Sequence, residues 1–136
     1  MSSIISIAAS GLNAATQRLQ VAANNIANAQ SDGPLPTASA AARQQYPAAY
    51  TAQQVNQVAT DGGGTAAVVT NAQPGTTIAY NSTAPYADQN GLVAAPAVDL
   101  ASQILQQAIA SYEFAANASV IQAYQQTTQA LLNIQA

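Results

Sequence analysis

The sequence predicts a mainly α fold, in which long N- and C-terminal helices pack as a coiled coil around a short irregular or β-rich middle insert. Three observations carry this expectation. Apolar residues recur at steps of three and four without a break from residue 5 to residue 29. A second apolar pattern, with a different spacing, runs from Val98 to the end of the chain. Between them, residues 33–97 hold all six prolines and all but one of the seven glycines, the residues that punctuate regular structure. The chain therefore divides into a helix at 1–32, an insert at 33–97 and a helix at 98–136, with the first and last forming one discontinuous domain.

In the first segment Ile5, Ala8, Leu12, Ala15, Leu19, Ala22, Ile26 and Ala29 form a heptad seam. An amphipathic core helix would share this period, but alanine at every second position favours close approach to another helix. Ser2 or Ser3 can cap the start, and Gly33 and Pro34 in "SDGPLP" stop the helix, for a length of roughly 40 Å. Gly11 either permits close helix approach or is a tolerated weak point costing about 1 kcal/mol. Asn24, Asn25 and Asn28 can cross-link neighbouring helices, or serve as solvated surface or C-terminal caps.

The insert contains "AAYTAQQVNQVA", "TAAVVTNAQ" and "GTTIAYN", which read as two or three short strands with a glycine-rich turn at Asp61 to Gly64. Alternation is poor, so a disordered linker is the competing description.

After Pro96, Asp99 can cap the last helix. Its apolar residues are Val98, Ala101, Leu105, Ile109, Tyr112, Ala116, Val120, Ala123, Thr127, Leu131 and Ile134. The phase returns every eleven residues, as in the column Val98, Ile109, Val120, Leu131, which makes a nearly straight or gently right-handed helix. Such a stripe cannot follow a left-handed heptad partner throughout. The two helices are expected to pair over part of their span and to meet other copies elsewhere.

Composition narrows the function. Hydrophobic residues make up 49% of the chain, but many are alanine and aromatics are only 5%. Small side chains bury little apolar area, which argues against a self-sufficient core. Two arginines and no lysine, against five acidic residues, exclude a phosphate-binding stripe. The same scarcity of cations disfavours a membrane surface, and no stretch of about 18 apolar residues offers an insertion helix. The N-terminus "MSSIISIAASGLNAA" lacks the charged region of a Sec-type signal, so export would take another route.

Histidine and cysteine are absent, which removes the usual general base, the thiol nucleophile and most zinc ligands. "DQNG" at Asp88 has no glutamate at the twelfth position of a calcium loop, and "DGGG" lacks the lysine of a phosphate loop. Both read as turns. No catalytic residue, metal site or cofactor is expected.

The segment "IAASGLNAATQRLQVAANNIANAQS" closely resembles the N-terminal motif of the bacterial flagellar rod and hook proteins. The matching positions are Ala9, Ser10, Gly11, Leu12, Arg18, Leu19, Asn24, Asn25, Ile26, Ala27 and Asn28. The closing helix is similar to that family's as well, including Ala116, Asn117, Val120 and Ile121. Within the family, "YNSTAPYADQNGLVAAPAVDL" looks most like the proximal rod type. Ser31, Asp32, Gly33 and Pro34 stand where the family usually has Thr-Pro-Gly-Tyr.

The resemblance implies a non-catalytic basal-body rod subunit that polymerises through its terminal helices and transmits torque. It implies passage through the flagellar type III export apparatus, and partners that are copies of itself and other rod proteins. On that reading, Ile5, Leu12, Leu19 and Ile26 anchor one intersubunit seam, and Leu105, Ile109, Tyr112, Val120 and Leu131 the other. Asn24, Asn25, Asn28 and Asn117 belong to the same interface. The alternatives are a needle-like or adaptor coiled-coil protein of type III secretion, or another rod or hook paralogue.

Overall fold

A computed structural model describes residues 4–135. The Ser2 or Ser3 cap lies outside the described residues. Helix α1 spans Ile4–Ala27 and α3 spans Leu100–Gln135, with a short α2 at Ala40–Gln45. The strands are β1 (Gln53–Ala59), β2 (Thr65–Asn71), β3 (Thr76–Tyr80) and β4 (Leu92–Pro96). Long terminal helices around a small β insert are thus the observed architecture, and helix accounts for about half of the chain.

α1 ends at Ala27, earlier than the expected residue 32. The cause is local. The backbone tightens into three-residue turns, Ala29 N donating to Ile26 O and Ser31 N to Asn28 O, while Asn28 Nδ2 donates to the Asn24 carbonyl and Asn28 Oδ1 accepts from the Ser31 hydroxyl. Ala29, the last position of the predicted seam, therefore lies past the helix. At the other end Asp99 caps α3 as expected, its Oδ1 accepting from the Ala101 amide at 3.1 Å.

The insert is ordered as two antiparallel hairpins, β1 with β2 and β3 with β4. The first turns at the predicted glycine run, where Gly62, Gly63 and Gly64 have φ of 94°, 94° and 97°. Side chains rarely tolerate that left-handed conformation, so three glycines suit the turn. The second hairpin pairs Tyr80 with Leu92, and β4 also bridges to Gly33 through Ala94. The carbonyl of Gly75 ties the two together, accepting from the Ala52 and Ala97 amides.

α1 is the centre of the packing. It lies against α3 on one side and against the β1–β2 hairpin on another, while α3 has no other element as a partner. Its buried residues are Ala8, Ala14, Ala15, Val21, Ala22 and Asn25. Ala8, Ala15 and Ala22 are the alanine half of the heptad seam. Around β4, Leu35, Ala52, Val93 and Ala94 form a second small buried set.

Candidate assembly interface

Three contacts show how α3 sits on α1. Asn25 Nδ2 donates to Gln103 Oε1 at 3.0 Å. Arg18 Nη1 donates to both oxygens of Glu113, at 2.8 and 2.9 Å. A Cβ placed on Gly11 would stand 2.6 Å from Asn117 Oδ1, so only glycine admits that side chain at this distance. Descending α1 means ascending α3: the helices are antiparallel. At this offset the start of α1 lies near residue 124, and about the last eleven residues of α3, roughly 16 Å, run past it.

The face that α3 turns inward is small and polar. Gln103, Gln107, Ala110, Glu113, Asn117, Ala118 and Ile121 are its covered positions, and Ala110 is fully buried. The steps Gln103, Gln107, Ala110 and then Asn117, Ile121 follow a heptad, which suits the heptad of α1. The predicted eleven-residue stripe lies about 120° away around the helix. Leu105, Ile109, Tyr112, Val120, Leu131 and Ile134 are all exposed, Tyr112 at 78% and Ile134 at 80%. Ile104 and Leu132 add to this uncovered apolar surface.

The expected α1 positions divide differently. Ile5 is exposed, whereas Leu12, Leu19 and Ile26 are half-buried along the seam toward α3. Asn24 is exposed to solvent, whereas the Asn28 side chain closes the helix end.

Asn25 requires a correction. It is expected between subunits, but it is only 1% exposed and bonded entirely within its own chain. Besides Gln103, its Nδ2 reaches the Gln53 carbonyl at 2.8 Å, while Oδ1 accepts from the Gln53 amide and the Tyr50 hydroxyl, both at 3.0 Å. One side chain thus joins α1, α3, β1 and the loop before β1. Burial pushes the Tyr50 hydroxyl above its usual pKa. Asn117 likewise faces inward, its Nδ2 donating to the Glu113 carbonyl at 2.8 Å.

Between α3 and the first hairpin, with α1 as floor, lie two clefts, the first mainly polar and the second of mixed character. One, about 350 Å³, is lined by Arg18, Gln53, Gln54, Ser102, Gln103 and Gln106. The other, about 380 Å³, is lined by Ser10, Gly11, Gln57, Thr65, Glu113 and Asn117. Arg18, Glu113, Gln103, Gln53 and Tyr50 were not among the expected contact residues. A signal for the ion pair was present: Arg18 is the one cation in α1 and Glu113 the one acid in α3.

The geometry defines a class: proteins whose terminal helices form an antiparallel pair, with a seam of alanine and polar side chains and an exposed apolar stripe, carrying a small β insert. Residues 5–34 match the family described as Flagella basal body rod protein. The chain is 36% identical over 124 residues to the flagellar basal-body rod protein FlgC of Escherichia coli O6:H1, covering 87% of this chain and 85% of that one. The same protein of Salmonella typhimurium is 35% identical over 125 residues, with the same coverage. This chain belongs to the FlgC family of flagellar basal-body rod proteins.

Proposed function

We propose that this chain is a structural subunit of the proximal rod, polymerising through its terminal helices with copies of itself and with other rod proteins, and transmitting torque. The observation that carries the reading is the uncovered apolar stripe of α3. An exposed apolar surface continuous over many turns is a place for neighbours, because each residue left in water forfeits about 1.5–3 kcal/mol of burial. Ile5, Leu12, Leu19 and Ile26 on α1, with Leu105, Ile109, Tyr112, Val120 and Leu131 on α3, are the residues proposed to meet those neighbours. Asn24 and Asn28 are proposed to meet neighbouring helices as well. Catalysis has no part in this reading.

Torque transmission requires subunits that do not slide, and interlocked helices resist sliding along their length and around it. The chain reaches the rod through the flagellar type III apparatus; a sequence without cysteine can cross a narrow channel unfolded, with no disulfide to block it. No helix among the described residues is long and apolar enough to cross a membrane.

Electron microscopy of basal bodies from the source organism lacking this gene tests the proposal. Membrane rings that persist without rod, hook and filament are the expected result. Complete flagella would overturn it. In the complemented strain, Leu105→Asp together with Leu131→Asp should abolish swimming while leaving the purified chain folded.

A further inference from the structure

The alanines of the inner seam do not distinguish one register of α1 on α3 from another. Ala8, Ala15 and Ala22 repeat every seven residues and meet a face whose fully buried member is again alanine, Ala110. Equal small side chains can slip by a heptad with little change in packing, whereas a polar residue within a seam specifies register. The Arg18–Glu113 pair, the one ion pair among the described residues, supplies that distinction midway between the Asn25–Gln103 bond and the Gly11–Asn117 approach. A slip of one heptad would set Arg18 beside Gln106 or Val120 and strand two half-buried charges.

We infer that Arg18 and Glu113 are register-determining residues. Their pairing fixes how far α3 runs past α1, and so which apolar residues, Leu131, Leu132 and Ile134 among them, stand clear for neighbours. The consequence for assembly rests on the rod reading; the register itself does not.

The chain has no cysteine, so two introduced cysteines can report register without background. A Cβ on Gly11 lies 2.7 Å from Asn117 Cγ, which brings Gly11→Cys and Asn117→Cys within disulfide reach. In the purified full-length chain this reporter pair should close readily on mild oxidation. Arg18→Glu or Glu113→Arg alone should lower the yield of intrachain disulfide about fivefold. The two reversals combined should restore it, and rescue decides the matter even where a single reversal lowers helicity in circular dichroism.

A reporter that never closes, single reversals without effect, or a double reversal that does not rescue would each overturn the inference. In cells, swimming should be lost and regained in the same order. Disulfide yields as expected with swimming unaffected would leave the register assignment standing and overturn the rod reading instead.

Discussion

α1 and α3 draw on the same alphabet of alanine, glutamine, asparagine and scattered aliphatics, and use it in opposite senses. α1 turns its small residues inward on two sides and encloses one polar residue, Asn25, with every bond made. α3 turns glutamine, glutamate and asparagine inward, with Ala110 and Ile121, and turns its leucines, its other isoleucines and its tyrosines outward. An apolar period reveals where a helix is apolar, not which molecule covers it. Within this subunit, cohesion comes from close approach at alanine and glycine and from a few polar contacts. Most of the larger apolar side chains of α3 remain uncovered.

The sharpest way to break this contrast is at Asn25. Asn25→Ala would strand the Gln53 backbone and the side chains of Tyr50 and Gln103 at one stroke. Buried groups left without partners carry their full desolvation cost. The expected loss is about 3 kcal/mol, or about 10 °C in the thermal midpoint. Asn24→Ala, one residue away and exposed, should shift the midpoint little. Equal effects at both positions would mean that Asn25 does not join the two helices and the first hairpin.

Next in size is a change of bulk on opposite faces of α3. Ala110→Leu forces volume into a seam with no room and should cost about 2 kcal/mol. Leu105→Ala removes more atoms, but from a surface 59% exposed, and should stay within about 0.5 kcal/mol in the isolated chain. Denaturant titration of both variants gives the comparison directly. A reversed order would mean that the outer stripe is covered within the subunit. Amide exchange sharpens the point: residues 103–121, backed by α1, should be protected, and the overhang beyond residue 124 should exchange fastest.

Legibility followed the same division. The α1 heptad was readable because Ala8, Ala15 and Ala22 bury where the spacing puts them. The glycine turn at residues 62–64 was readable because few other residues adopt its backbone. The stripe of α3 was visible as apolar, but its direction was not, since Gln103, Gln107 and Glu113 look like a solvated face until α1 is laid against them. β4 escaped notice because "LVAAP" has neither alternation nor bulk, and its order comes from pairing with β3 and Gly33. The early end of α1 depends on one asparagine side chain, which no apolar period registers. Asn25 was singled out, but its partners come from three distant segments, which one-dimensional spacing cannot bring together.

The smallest expected effect concerns Tyr50, whose hydroxyl links the loop before β1 to Asn25. Burial disfavours the charged phenolate, so the folded chain holds this proton more tightly than the unfolded one and the pKa lies above the usual 10.0. A group whose pKa is raised on folding contributes stability that is fully present below its unfolded value, and that contribution fades as pH climbs through the folded value. The unfolding midpoint should therefore hold steady from about pH 8 to about pH 10 and decline above that. Tyr50→Phe removes both the proton and the bond to Asn25 Oδ1. It should begin about 1 kcal/mol lower at neutral pH and then decline less steeply in alkali. Parallel curves for the two proteins would assign the alkaline loss to another group and leave Tyr50 as a plain hydrogen-bond donor.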